Sequence, residues 1–499
     1  MPCFIVSFSS QRTYNRTRRG KLIRKFSKNQ AGCGEIPILG VTPIEAIQFD
    51  PSDKDDINKL LMGLQAIYCD EPLRAKILQM IASAFTVSQD KGREGMDYWS
   101  IFVIGILRFG DGLDYDRIYN LVSNHRKLRE LLGFDSFLQS NETYTRSSIH
   151  RNLSILTAEL VEQMDILVVQ FAHQAIIKTP VVSLQCRADS FVLKSNVHFP
   201  TDFAMLFDCC NGILRVVNNR SLPGWREHQS KFKKLKKAKR SISRMRASNS
   251  QDPKKKEARA EEYKELVKGY LCLADTCLKK AALSDCDELQ SFIDLGRIFT
   301  NQIKRRCLNA EKIPANEKIY SIYEEYTEWI SKGKAGVSQE LGVRLAVVED
   351  QYGFICHSRV MFEEQDVDIA VELCMQIMTN YTLESISFDK GFHSKRDENG
   401  LNNTDKIEAL NVVTTLPKKG RRSRADKERE SAHGFVKRRK KHAGIESKIH
   451  ALQNHGLDRC PDRGRDNFKR YAKLGILAMN IHSIGAIVLA READQLAAA

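Results

Sequence analysis

Three acidic residues occupy positions where a carboxylate could do chemistry. Asp189 lies within the stretch 183–202, whose first half alternates between apolar and polar residues and so predicts a strand. An acid in an otherwise buried strand is costly unless a charged group lies opposite it. Asp389 lies near the end of the predicted strand TLESISFDKGF, and Glu446 lies one position off the apolar stripe of a basic helix. Taken alone, each acid favours an ordinary role: an ion pair with a neighbouring arginine, the start of a loop, or a surface salt bridge.

The three acids together favour a catalytic site. Two carboxylates on neighbouring strands and a third on a later helix can hold two divalent cations roughly 4 Å apart. Such ions activate a water or a 3′-hydroxyl and stabilise a phosphate during in-line displacement. Oxygen ligands suit Mg²⁺ or Mn²⁺, and the sequence offers no Cys/His ligand set for zinc. We therefore predict Asp189, Asp389 and Glu446 as catalytic and metal-binding residues acting with two Mg²⁺ or Mn²⁺ ions.

The positive charge is concentrated in three segments. These segments are residues 1–34, 226–246 and 418–441. Together they contain 30 Lys/Arg and 4 Asp/Glu, whereas the rest of the chain contains 48 Lys/Arg and 58 Asp/Glu. Concentrated Lys and Arg residues favour binding of a polyanion, because such binding releases counterions from nucleic acid. For any single segment the alternative is a solvated tail. Basic residues beside Glu446 and Asp389 are predicted to hold DNA phosphates: Arg438, Arg439, His442, Lys448 and Lys390.

Length and composition indicate an ordinary globular protein of two or three domains. The 499 residues are 42% hydrophobic and 28% charged, which excludes wholesale disorder. Thirteen cysteines without a CxxC pair indicate reduced thiols in a cytosolic protein. No apolar run approaches the ~18 residues of a membrane span, and the N-terminus lacks the pattern of a signal peptide. We therefore expect no membrane partner.

The order of elements predicts a mixed α/β sheet. From 184 to 389 the pattern indicates a strand, a large helical insertion, two strands joined by the turn at 350–353, a helix and a further strand. Within the insertion, 225–247 and 254–280 predict two charged helices, and 317–330 a short one. The helices before 180 are compatible with a helix-turn-helix and with a plain helical bundle.

These patterns divide the chain into six ranges: a flexible basic arm (1–35), a helical N-terminal DNA-binding domain (36–180), the first part of the catalytic core (181–202), a helical insertion (203–338), the second part of the core (339–490) and a tail (491–499).

At these residues the chain resembles the DDE transposases of bacterial insertion sequences, most of all the ISNCY group. The resemblance rests on DSFVLKSNVHFPTDFAMLFD around the first acid, KGKAGVSQELGVRLAVVEDQYGFICHSRVM through the two strands, SFDKGF at the second acid and AGIESKIHALQNHGLDRCPDRGRDNFKRYAKLGILAMNIHSIG around the third. The stretch YWSIFVIGILRFGDGLDYDRIYNLVSNHRKLRELLGF is similar to the N-terminal domain of the family. The likeness covers roughly residues 50–487.

The resemblance implies an RNase H-like catalytic fold and a transposase. Such an enzyme binds terminal inverted repeats and cleaves and joins DNA with Mg²⁺ held by Asp189, Asp389 and Glu446. It implies a cytoplasmic, nucleoid-associated bacterial protein, and action on two DNA ends suits a homodimer. Many related transposases carry a Tyr/Arg/Glu/Lys signature around the helix acid, whereas this chain has His442 and Arg439 before Glu446 and Gln453 after it.

Two other functions stay open from the sequence. One is a transposase-derived DNA-binding protein that has lost its chemistry, against which the presence of all three acids weighs. The other is a metal-dependent nuclease of the same fold that cuts DNA without joining it.

Overall fold

A computed structural model describes residues 14–16, 22–24, 42–53, 55–85, 96–110, 112–134, 143–177, 181–247, 252–281, 287–314, 317–331 and 339–498. Most of the basic arm predicted at 1–35 lies outside these residues. The chain divides into two compact units, one formed by Met1–Lys194 with Val343–Ala499 and the other by Ser195–Gly342.

The elements are as follows in chain order. The strands are β1 Tyr14–Arg16, β2 Leu22–Arg24, β3 Leu184–Lys194, β4 Glu328–Ser331, β5 Gln339–Glu349, β6 Ile355–Met361, β7 Leu383–Phe388 and β8 Val413–Thr415. The α-helices are α1 Asp56–Cys69, α2 Glu71–Ser83, α3 Tyr98–Gly110, α4 Tyr115–Asn124, α5 Arg126–Leu131, α6 Arg146–Leu153, α7 Ala158–Phe171, α8 Asp202–Asn219, α9 Trp225–Ala247, α10 Pro253–Ala281, α11 Asp287–Ile303, α12 Asp366–Met378, α13 Asn403–Glu408, α14 Arg424–Ser431, α15 His433–His442, α16 Gly444–Leu452 and α17 Arg465–Ala498. Short 3₁₀ segments lie at Ile44–Ala46 and Lys390–Phe392, and π segments at Ala172–Ile176, Lys304–Leu308 and Gln453–Leu457.

The larger unit contains a mixed sheet at its centre. Within this unit the strand order is β5-β3-β7-β8, with β6 pairing with β5. Strand β3 runs parallel to β7, which runs parallel to β8, whereas β5 and β6 are antiparallel. The structure therefore confirms a mixed α/β sheet, and β8 is a strand that the sequence did not indicate.

The predicted alternation of β3 is confirmed by its burial. Leu184, Cys186 and Ala188 point into an apolar core shared with α12, to which that helix contributes Leu373 and Ile377. Gln185 on the other face is exposed and Arg187 is partly exposed. Burial of one face fixes which residues point away from α12, because side chains alternate along a strand. Asp189 therefore belongs to the same face as Arg187.

The N-terminal helices pack as a bundle that includes the C-terminal helix. Helix α3 is buried over its whole length, as its apolar sequence predicts. Helices α1, α3 and α7 all pack against α17. The sequence left a helix-turn-helix and a bundle open, and this packing favours the bundle. Helix α17 also continues through Ala498, so the range 491–498 that was predicted as a tail belongs to it.

Helices α1 and α17 approach each other so closely that glycine is required at their crossing. A Cβ atom at Gly485 would overlap the carbonyl oxygen of Lys59, and one at Gly63 would overlap that of Ile481. Helix α17 is the one described helix that is long and apolar enough to cross a membrane by length and composition, and 67% of its apolar window is buried inside the protein. The sequence analysis had found no run of that kind.

The smaller unit is built on four helices. Helices α8, α9, α10 and α11 share one apolar core, which includes Leu206, Ile213 and Leu235. The short helix predicted at 317–330 is wrong, because β4 occupies Glu328–Ser331 and pairs antiparallel with residues 339–342. The aromatic and β-branched residues of this segment suit a pleated surface, and pairing with β5 outweighs the helical spacing of its apolar residues.

The ten cysteines among the described residues are all free thiols. In the larger unit the sulfur atoms of Cys186 and Cys356 lie 3.8 Å apart, which is too far for a disulfide bond. This agrees with the reduced thiols that the sequence predicts.

Candidate functional site

The register of the two central parallel strands brings Asp189 level with Asp389. Ala188 of β3 aligns with Phe388 of β7, and each acid is the next residue in sequence. Asp389 directly follows the end of β7, the usual position of ligand sites in open α/β sheets, whereas Asp189 lies in the middle of β3, which continues to Lys194. Strand pairing thus converts a separation of 200 residues in sequence into two carboxylates at one level of the sheet.

Asp189 is a partly buried carboxylate without a cationic partner among the described residues. Its Oδ1 accepts a hydrogen bond from the backbone N–H of Ser190 at 2.8 Å. Burial raises the pKa of Asp189 to about 6, with smaller contributions from the charges of Asp389, Asp366 and Glu446. The ordinary alternative, an ion pair with a neighbouring arginine, is not what the structure shows, because Arg187 pairs with Glu349 instead at 2.7 Å.

Asp366 is an acid at this site that the sequence analysis missed. It is the first residue of α12, and its Oδ1 accepts a hydrogen bond from the hydroxyl of Ser190 at 2.6 Å. A Cβ atom at Gly391, two residues after Asp389, would lie 3.3 Å from Asp366 Oδ2. Acids are common in the first helical turn, so its position at the start of a helix did not single it out. Only the folded chain shows that it approaches both Asp189 and the loop after β7.

Glu446 is exposed on α16 and acts on Asp189 through its charge. The predicted continuous helix is interrupted at Ala443, which separates α15 from α16. His442, four residues before Glu446, would lie next to it on one continuous helix, but it is the last residue of α15 whereas Glu446 belongs to α16. Ile445 and Leu452 provide the buried side of α16, in agreement with the predicted stripe.

A buried network of charges attaches α16 to the sheet. Arg187 of β3 pairs with Glu349 at the end of β5, and Lys448 Nζ lies 3.8 Å from the other oxygen of Glu349. Arg187 also donates a hydrogen bond to the carbonyl of Lys441 at 2.9 Å. The Glu349 side chain is 4% exposed, so the two cations compensate a charge that would be costly alone. This network positions the helix that carries Glu446.

Two residues predicted to contact DNA are directed into the protein. Lys448 is 15% exposed at its side chain and takes part in the network with Glu349, and burial lowers its pKa. His442 is buried, and its Nδ1 lies 3.1 Å from the hydroxyl of Ser387. Burial, with the Arg439 charge next, lowers the pKa of His442 to about 4, so the ring is neutral near pH 7. These positions correct the expectation that both residues face phosphate.

The other three predicted basic residues remain accessible at the sheet edge. Arg439 Nη2 lies 3.4 Å from Asp389 Oδ1, and its Nη1 donates to the carbonyl of Phe388. Its side chain is 40% exposed. Arg438 is partly exposed and donates to the hydroxyl of Thr415 at 2.8 Å, and Lys390 is exposed. Arg439 therefore links helix α15 directly to Asp389.

The donor set fits a divalent cation by its chemistry. Carboxylate oxygens are the ligands that Mg²⁺ prefers, and a cation would relieve the repulsion that Asp389, Asp366 and Glu446 exert on Asp189. Among the residues that the structure describes, no three His, Cys, Asp or Glu side chains lie close enough together to hold one ion. Mg²⁺ usually keeps several waters and binds through one or two carboxylates, so a site of this kind does not require three protein ligands on one ion.

No protein-family model matches the chain, and no curated protein or solved structure matches it either.

Proposed function

We propose that the chain is a DDE-type transposase that cleaves DNA and transfers the cut strand, with binding of terminal inverted repeats. The observation that supports the proposal is the alignment of Ala188 with Phe388, since Asp189 and Asp389, the next residues, then lie at one level of two neighbouring strands. The charge of the exposed Glu446 reaches the same place. Glu446, from a third part of the sequence, contributes to the electrostatic potential at Asp189.

The strand order supports an RNase H-like core, which the sequence resemblance implies. The first strand of the larger unit's sheet, β3, lies at its centre between β5 and β7. The two later strands, β7 and β8, run parallel to it, and β6 runs antiparallel to β5.

Each residue has a defined part in the proposed reaction. Asp189, Asp389 and Glu446 would hold the divalent ions, and Asp366 would orient Asp189 through Ser190. Bound ions of this kind supply activation of the attacking water or 3′-hydroxyl and stabilise charge on the phosphate. Arg439 is near enough to Asp389 to neutralise a phosphate oxygen at the same place. The Arg187–Glu349–Lys448 network keeps α16 against the sheet.

The test is a joining assay with purified full-length protein. A labelled DNA fragment carrying the sequence that flanks the coding region is incubated with Mg²⁺ and a target plasmid. Cleavage and joining are expected for the wild type and should fall by at least about 10³-fold in Asp189→Asn, Asp389→Asn and Glu446→Gln. The matched control is Glu408→Gln, an exposed acid at the end of α13, which should leave joining unchanged.

The outcomes separate the three functions. Joining that survives all three substitutions would reject the proposed site. Specific binding of the flanking DNA without cleavage would indicate a DNA-binding protein, and cleavage without joining would indicate a nuclease.

A further inference from the structure

The smaller unit contains a helix whose exposed side is almost entirely cationic. In α9 the apolar residues Phe232, Leu235 and Ile242 are buried in the core of the unit. The other side exposes seven cations: Arg226, Lys233, Lys234, Lys236, Lys237, Arg240 and Arg244. Glu227 is the only acid in the helix. The positive charge is therefore a property of one face rather than of the whole helix.

These cations lack the partners that neutralise similar charges in the next helix. In α10 three of the exposed cations form ion pairs with nearby acids: Lys255 with Asp252 at 3.7 Å, Arg259 with Glu262 at 3.0 Å and Lys268 with Glu265 at 2.6 Å. In α9 the ion pair recorded among the described residues is that of Lys231 with Glu227. None of the cations from 233 to 244 on the exposed face has an ion pair within the described part of the chain. Like charges on one helical face repel each other, so this face is destabilising unless an anion covers it.

We propose that this face of α9 binds the sugar–phosphate backbone of double-stranded DNA without reading its sequence. Lys233, Lys237, Arg240 and Arg244 follow one another at spacings of four, three and four residues and so lie on one face of the helix. The 23 residues of α9 span about 34 Å, which is close to one turn of B-DNA. Long, flexible cationic side chains suit phosphates, which position a protein on DNA but carry no sequence information.

The composition of the face favours a duplex over a single strand. Single-strand binding surfaces combine cations with aromatic side chains on which bases stack. Helix α9 has two Phe, Tyr or Trp residues: Phe232 is buried, and the exposed Trp225 is the first residue of the helix, outside the run of exposed cations from 233 to 244. The choice of DNA as the polyanion rests on the proposed function, whereas the presence of an anion-binding face depends only on α9.

The test measures how binding to DNA depends on salt. The full-length protein is titrated with a fluorescent duplex of random sequence over about 50 to 200 mM NaCl. The test variant replaces Lys233, Lys237, Arg240 and Arg244 by glutamine, which keeps good helix propensity. The control variant makes the same charge change in α10 by replacing Lys254, Lys255, Arg259 and Lys268, all exposed. Circular dichroism checks that both variants are folded.

We expect the α9 variant to bind the duplex about 10- to 100-fold more weakly at the middle of this salt range. The slope of log K against log salt should become shallower by about 3, because each lost phosphate contact removes about 0.9. The α10 variant should bind within about 2-fold of the wild type. Equal losses in both variants would show a general charge effect and overturn the assignment, as would an unchanged slope in the α9 variant.

Two further arms test the choice of partner. Stronger binding of a single strand or of RNA than of the duplex, or binding of vesicles with anionic lipid in place of DNA, would overturn it. Glu408→Gln, at an exposed acid outside the proposed site, should retain the affinity and slope of the wild type for the random duplex. If the wild type binds duplex DNA through α9 but never cleaves DNA, this inference stands and the proposed function is rejected. If the wild type cleaves and joins DNA but the α9 variant binds the duplex as well as the wild type, the proposed function stands and this inference is rejected.

Discussion

Replacing Asp189 by asparagine should stabilise the protein in the absence of metal. In the folded chain burial and the neighbouring acids raise the pKa of Asp189 to about 6. The folded state therefore binds a proton more tightly than the unfolded state, and stability decreases as the pH rises from about 4 to 6. Asparagine keeps the shape of the side chain and carries no charge.

The magnitude follows from the size of the pKa shift. A rise of about two units from the ordinary value corresponds to about 3 kcal/mol, because one unit is worth 1.36 kcal/mol. Partial exposure of Asp189 reduces this figure, so we expect the variant to be more stable by about 1–3 kcal/mol at pH 8 in EDTA. Near pH 4 the difference should vanish, because Asp189 is then protonated in the folded state.

The assay is urea unfolding followed by circular dichroism at both pH values, with EDTA and with Mg²⁺. Binding of Mg²⁺ to the folded state should stabilise the wild type more than the variant and narrow the difference at pH 8. The control Glu408→Gln removes one exposed acid, so it should change neither the stability at pH 8 in EDTA nor the stabilisation by Mg²⁺. A variant that is less stable than the wild type at pH 8 in EDTA would refute the reasoning that repulsion and burial act on Asp189.

Three other predictions concern the larger unit. Gly485→Ala should destabilise it by about 3 kcal/mol or more in urea unfolding, since the new Cβ overlaps the Lys59 carbonyl, whereas Gly269→Ala in α10, with open space around it, should be neutral or stabilising; equal effects would contradict the close crossing. Burial raises the pKa of Asp165 to about 7, so the stability of the wild type should fall as the pH rises from about 4 to 7. Asp165→Asn should flatten that fall and increase the free energy of unfolding by about 2–4 kcal/mol at pH 8, and an unchanged dependence of stability on pH would contradict this. Asp366→Asn should raise the Mg²⁺ concentration needed for cleavage by about 10- to 100-fold, and an unaltered Mg²⁺ requirement would show that it does not support Asp189.

Much of the fold could be predicted because the spacing of apolar residues in the sequence matches the residues that are buried in the structure. The alternation of β3, the turn at 350–353 and helix α12 follow from periodicities that the core enforces. Helix α9 was predicted with the bounds that the structure has, because its buried residues recur at helical spacing. In contrast, the segment 317–330 has a helical pattern but pairs as a strand, since strand pairing depends on a partner distant in sequence.

The candidate site was only partly predictable. Asp389 could be chosen because it follows a strand, and Glu446 because it stands beside an apolar stripe. Asp366 could not, because an acid at a helix start is common and its meaning depends on the hydrogen bond to Ser190. Lys448 was misjudged for the same reason: its charge is visible in the sequence, but its partner Glu349 is not.

The sequence by itself determined most of the strands and helices, where the positive charge is concentrated and three of the acids that could act together. These properties depend on neighbours a few residues apart, which periodicity reports directly. Only the tertiary structure decided that Asp189 and Asp389 share one level of the sheet, because strand register is set by which faces are buried together. It also decided which cations face solvent and which are buried beside an acid, because the cost of a buried charge depends on partners that only the folded chain brings close.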